Sequence, residues 1–258
     1  MIEKYGDRII AFIDLQGFSK KVETIADEKD FKSVLHLLKS AKLLESREDK
    51  NNFFQSFKNT FSEDEIKQMA DGFQCTAISD SIIVSYPCTS ASLAMLIIEL
   101  ALMQWDLLWK WNYLIRGYIS IGRCHHKEGV IFGQGYMDAY NGAENDENHK
   151  NPCIAFDKKI LSVLNQPHRE MIDPTLVREY RSNFSFVNYG VSVHFLKDGY
   201  TNKKISGVEQ IDRFESFVRK ELLANKNDEK VTNKYFWTLN YLEALEIFKY
   251  REYLLNEK

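Results

Sequence analysis

Proline and cysteine are scarce in this chain, four of each among 258 residues. No proline occurs before Pro87, so nothing in the first third forces a helix or strand to stop. The cysteines (Cys75, Cys88, Cys124, Cys153) lie far apart, and the absence of any Cys-x-x-Cys pair argues against a disulfide framework. They read as reduced, partly buried thiols of a cytoplasmic protein. A zinc site at Cys124, His125 and His126 is disfavoured, because adjacent strand residues point to opposite faces. A net charge of −3 gives no bias toward nucleic acid or an anionic membrane, and neither is expected as a partner. The most apolar stretch, Leu93 to Leu108, is interrupted by Glu99, Gln104 and Asp106 and is too short and polar for a membrane span. The N-terminus carries Glu3 and Asp7 and no apolar core, so no signal peptide is expected. No repeat, low-complexity tract, or Ser/His/Asp or Cys/His nucleophile pattern is evident. Gly133-Gln134-Gly135 lacks the third glycine and the βαβ setting of a dinucleotide fingerprint.

What the chain does have is 44% hydrophobic residues, enough for a sizeable core, and two apolar runs that each meet an aspartate. Ile9 to Asp14 is apolar in five of six positions and reads as a buried strand, followed by a turn at Gly17 and then Ser19 ahead of a helical pattern. Phe73 to Ala77 and Ser81 to Tyr86 read as a hairpin with Ser79 and Asp80 in its turn. A carboxylate at the tip of a buried strand can hold a hard cation over phosphates; the plainer reading is a polar strand end.

Between these runs, Phe31 to Leu44 has helical periodicity, and Ser62 with Glu65 matches a capping box. Ser90 or Ser92 can cap a helix to about Trp111, with Trp105, Trp109 and Trp111 at helical spacing as core residues. Leu114 to Gly122 reads as a strand, Cys124 to Gly129 as a turn, Val130 to Phe132 as a short strand, and Gly133 to Tyr140 as the entry to a helix and its first turns. Pro152 to Asp157 and Phe184 to Tyr189 add strands, Asp157 or Ser162 can start a helix, and Asp173-Pro174 is expected to begin another. Past Ser206 two helices are joined by a polar linker, Asn225 to Asn233. The order fits a ferredoxin-like α+β fold, a mixed sheet with helices on one face and extra C-terminal helices. Residues 1–200 form the main domain, and 201–258 a helical extension packed on it.

Phe12-x-Asp14-x-x-Gly17-Phe18-Ser19 resembles the first metal motif of the class III nucleotidyl cyclases. Ile78-Ser79-Asp80-Ser81 resembles the second, with Ser79 where glycine is usual. Arg116 to Gly122, and Ile131-Phe132-Gly133 with Ala139-Tyr140, resemble the stretches that follow. The resemblance covers roughly residues 8 to 195 and is nearest to the bacterial pyrimidine cyclases of anti-phage Pycsar systems. It implies the ferredoxin-like fold and a homodimer with sites at its interface. It also implies two Mn²⁺ or Mg²⁺ ions held by Asp14, Asp80 and the Leu15 carbonyl, and conversion of UTP or CTP to a 3′,5′-cyclic monophosphate read by a separate effector. Gly17, Phe18 and Ser19 would cradle phosphates, Thr76 and Glu128 would lie at the base, and Arg116, expected from the partner chain, would complete the catalytic set. Where the family's third helix carries an Asn and an Arg, this chain has Met137 and Asn141. Arg116, Arg123 and Lys197 are the candidates to replace that cation. Thr76 stands where purine cyclases carry a lysine. The alternatives are an inactive cyclase-like nucleotide sensor and a purine cyclase.

Overall fold

A computed structural model describes residues 5–23, 25–28, 32, 35, 52–144, 150–172, 175–181, 183–192 and 207–244. Of the expected helix over Phe31 to Leu44 only Lys32 and Leu35 are described, both helical, and Lys197 lies outside the described residues.

The organising strand is β1 (Gly6–Leu15), whose centre from Ile9 to Ile13 is buried on both faces. A strand so apolar needs neighbours on both edges and layers above and below. It lies antiparallel between β3 (Ser81–Pro87) and β4 (Ile115–Lys127), with β2 (Gln74–Ile78) completing the hairpin to β3. Beyond β4 come β6 (Ile154–Asp157), parallel to it, then β8 (Phe184–Val187) and β7 (Val177–Arg181), so the sheet is mixed with order β2-β3-β1-β4-β6-β8-β7. A short β5 (Val130–Phe132) pairs with the far end of β4.

Pairing register sorts side chains onto two faces. One face carries Ile9, Ala11, Ile13 and Leu15, with Ile82, Val84 and Tyr86 across one edge and Ile115 and Ile119 across the other. It is covered by the 22-residue helix α3 (Ser90–Trp111), with α2 (Glu63–Gly72) alongside; α1 (Phe18–Glu23) is the short helix after β1. The Ser62–Glu65 capping box is present at α2. At α3 the cap is Thr89 rather than Ser90 or Ser92, its hydroxyl accepting from the Ser92 N–H. α3 is long and apolar enough to cross a membrane, and 89% of its most apolar window is buried in this core.

The opposite face carries Ile10, Phe12 and Asp14 with Ser120, Tyr118 and Arg116 beside them. It is covered by α4 (Gln134–Glu144) through Ala139 and Ala143. Gly135 permits this approach: a Cβ there would come within 2.9 Å of the Gly122 carbonyl oxygen. The α+β class therefore holds, but helices cover both faces where one was expected, because both sides of β1 are too apolar to meet water. After β6 come a 3-10 turn (Lys158–Val163), capped by Asp157, and α5 (Gln166–Ile172). The segment after Pro174 forms β7, not a helix, its Val177 paired with Val187. α6 (Gly207–Ala224) and α7 (Glu229–Ala244) pack together and on Trp105, Ala155 and Phe186; the linker between them is shorter than expected, since α7 starts at Glu229. β4 also runs further than expected, to Lys127, because buried Cys124 and His126 alternate inward and β5 pairs with their neighbours.

Candidate functional site

Asp14 is the last residue but one of β1, level with Ser81 on one side and Arg116 on the other. Asp80 is the residue before Ser81, in the two-residue turn joining β2 to β3. The Leu15 N–H donates to the Asp80 carbonyl at 2.9 Å, tying that turn to the end of β1. The expected neighbours are thus at one end of the sheet. Ser79 has φ 55°, the left-handed region that favours glycine, which gives a physical reason for glycine at that place in the motif.

Burial pushes the Asp14 carboxyl above the usual range; the Arg116 guanidinium opposes this, while Glu144 and Asp80 add to it. Arg116 Nη2 donates to Asp14 Oδ2 at 3.2 Å and to Glu144 Oε1 at 2.9 Å. Arg116 therefore reaches Asp14 within its own chain, by cross-strand pairing, which corrects the expectation that a partner supplies it. Sequence reasoning missed Glu144. Its signal was present all the same: a carboxylate at the C-terminal end of α4 opposes the helix dipole and calls for a cation. It also missed Lys234 of α7, half-buried and within electrostatic reach of both Arg116 and Asp14, for which no motif existed. Among the described residues, Arg116 Nε and both amide atoms of Gln16 are buried without a hydrogen-bond partner.

Of the expected phosphate cradle, Phe18 is core at 5% exposure, and Gln16 just before it spends its N–H on the Leu114 carbonyl. Gly17 (φ 79°) and Ser19 are the exposed part of that turn, and α1 behind them is only six residues long.

The remaining expected residues lie elsewhere. Thr76 Oγ1 is 2.9 Å from His126 Nε2, and His126 Nδ1 is 2.8 Å from Ser85 Oγ. Arg8 Nε donates to Ser85 Oγ at 3.0 Å, extending the chain by one partner. A neutral ring that donates at one nitrogen and accepts at the other suits it, and burial, aided by Arg8, lowers His126 to about 4. Glu128 (φ 51°) is in the β4–β5 turn, far along β4 from Arg116, so a single chain does not bring it to Asp14. Arg123 stacks over the Tyr5 ring at 4.7 Å, level with Asp7 and far from Asp14. Met137 and Asn141 are exposed on α4, while Ala139 and Ala143 face the sheet. An apolar cavity of about 240 Å³, lined by Ile98, Leu102 and Met171, borders α3 and α5 and contains neither carboxylate.

Among the described residues no group of three His, Cys, Asp or Glu side chains forms a ready metal cage. The donors present are two carboxylates and a strand-end carbonyl. That suits a Mg²⁺- or Mn²⁺-type ion completed by substrate phosphates, and a raised Asp14 beside Asp80 is the electrostatic condition a divalent ion relieves.

No protein-family model and no curated protein matches the chain. Among solved structures it is similar to an adenylate/guanylate cyclase/hydrolase from Silicibacter pomeroyi, 14% identical over 70% of this chain and 96% of that one, with TM-score 0.36. The catalytic core of a rhodopsin-guanylyl cyclase with converted specificity, in complex with ATPalphaS, is 12% identical over 70% and 94%, with TM-score 0.37. A class III adenylyl cyclase-like ATP-binding protein from Pseudomonas aeruginosa is 10% identical over 85% of this chain and 44% of that one, with TM-score 0.36. Likeness at these identities and scores carries no argument about family or activity; the fold class rests on the strand order itself.

Proposed function

We propose that this chain is a nucleotidyl cyclase that converts a nucleoside triphosphate to its 3′,5′-cyclic monophosphate and pyrophosphate. The observation behind this reading is the pair Asp14 and Asp80, fastened at one end of the sheet by the Leu15–Asp80 hydrogen bond, with Asp14 desolvated beside a second carboxylate. In the reaction the 3′-oxygen bonds to the α-phosphorus, the α–β P–O bond breaks, pyrophosphate leaves and the hydroxyl proton passes to solvent. Bound divalent ions supply charge stabilisation for the attacking and leaving oxygens. Asp14, Asp80 and the Leu15 carbonyl are the groups to hold them. Arg116, beside Asp14 and Glu144, would meet phosphate charge.

The substrate in this reading is a pyrimidine nucleotide, UTP ahead of CTP, and the product is a signal for a separate effector in anti-phage defence. The support is the resemblance of the motifs and the lack of a purine-reading lysine at Thr76. The Thr76 hydroxyl is committed to His126, so any preference follows from what is missing there rather than from a new contact. Exposed Val130, Phe132, Met137 and Tyr140 on β5 and α4 supply an apolar surface for a homodimer. Incubating the full chain with all four triphosphates and Mn²⁺, with products read by mass, is the test. Cyclic UMP or cyclic CMP in excess is expected; equal or better turnover of ATP makes it a purine cyclase. The Arg116–Asp14 ion pair favours a second reading, a nucleotide-binding sensor without turnover, which triphosphate binding with no cyclic product would establish.

A further inference from the structure

We propose that Lys234, on the C-terminal helix α7, is the cation that receives the outer phosphates of the substrate. It would fill the role that Met137 and Asn141 leave empty on α4. The proposal rests on the cyclase reading and adds a residue to the same site.

The placement follows from how α7 is seated. Trp237 and Tyr241 both pack on Phe186, with ring centroids 5.7 and 5.4 Å away. Phe186 pairs with Ala155, which pairs with Tyr118, and Tyr118 is two residues along β4 from Arg116 on the same face. The Tyr241 hydroxyl donates to Asn188 Oδ1 at 2.6 Å and accepts the Gly190 N–H at 2.9 Å, which fixes the other end of the helix. Lys234 precedes buried Thr238 by one helical turn, on the same side. The helix thus carries this lysine over the Asp14–Arg116 face of the sheet.

Its surroundings ask for an anion. Burial, then Arg116 and Lys230, disfavour the ammonium; Asp14 and Asp228 favour it more weakly. Among the described residues no carboxylate is within ion-pair distance of it, and Arg116 already serves both Asp14 and Glu144. Two cations converging beside a metal-type carboxylate pair match a ligand with several negative charges, as in a β,γ-diphosphate, better than a monophosphate. Lysine binds phosphate as a point charge on a flexible stem, which suits a group entering from a separate helix. The plain alternative is a lysine whose stem covers apolar surface while its tip reaches water.

Binding of α,β-methylene-UTP and of UMP to the full chain with Mn²⁺, measured by calorimetry, separates these. Lys234→Met is expected to weaken the triphosphate analogue by about tenfold or more while leaving UMP within twofold, roughly the loss of one charge-assisted contact. Lys234→Arg should restore most of it. Equal triphosphate affinity in wild type and Lys234→Met overturns the proposal for Lys234 alone. A wild type that binds no triphosphate overturns the cyclase reading beneath it. If Lys234→Met fails to fold, amine acetylation of wild type decides: the analogue must protect Lys234, and unchanged labelling at saturation refutes the role.

Discussion

One face of the sheet ends in two polar clusters, and they differ in whether their hydrogen bonds close. At the β4–β5 end, Arg8, Ser85, His126 and Thr76 form a chain in which every named side chain has a partner. At the Asp14 end, Arg116 bridges two carboxylates while its own Nε and the Gln16 amide have none. A buried polar atom left unpaired costs about 1–3 kcal/mol. Side chains alone close the first network, whereas the second leaves polar atoms that water or a ligand can satisfy.

Replacing Asp14 or Asp80 by asparagine should break this contrast most sharply, with a loss of turnover on the order of 1,000-fold or more for each. The fold should survive. Because the Asp14 carboxyl is raised, the folded state holds its proton more tightly than the unfolded chain, and its contribution to stability falls as pH rises through that value. Asp14→Asn should therefore not lower Tm at neutral pH; a clear drop would make Asp14 a structural residue. At the closed end the outcome reverses. His126→Ala should cost about 3 kcal/mol of stability with kcat per folded molecule unchanged. His126 falls from 6.5 to about 4 on folding, so its stabilising effect is complete above 6.5 and is lost as pH falls from there to 4. Acid unfolding of wild type should show this limb, worth about 3 kcal/mol, and His126→Ala should lack it. Thr76→Val, which removes one partner of the histidine, should cost about 1 kcal/mol in a denaturant titration. Ser79→Gly should gain about 0.5–1 kcal/mol by relieving the left-handed turn. Glu128→Ala, at an exposed tip, should stay within about 0.5 kcal/mol of wild type.

Much of this architecture could be read beforehand, for physical reasons. The unbroken apolar run Ile9–Ile13 can only be a central strand, and the hairpin around Asp80 follows from two short runs and a polar turn. The structure places the two carboxylates at the same end of the sheet. Arg116 was named with the wrong origin, since antiparallel register against β1 was needed to see that it faces Asp14 of its own chain. Glu144 and Lys234 carry no motif, and their relevance comes from tertiary packing of α4 and α7. Thr76 was located correctly on β2, but its partner His126 was taken to sit in a turn. Only the extra length of β4 reveals that contact.

The place of β1 in the middle of the sheet has a consequence for how the protein comes into being. Asp14 meets Arg116 across a separation of 102 residues, and the strand between Asp80 and Pro87 must be in place on its other edge. Contacts this distant in sequence are slow to form, because the loop must close before any ladder bond is gained. Until β4 has left the ribosome, the nascent chain holds an apolar β1 and an apolar α3 with half their partners missing. The meeting of Arg116 with Asp14 and the covering of the second edge of β1 therefore both wait for β4.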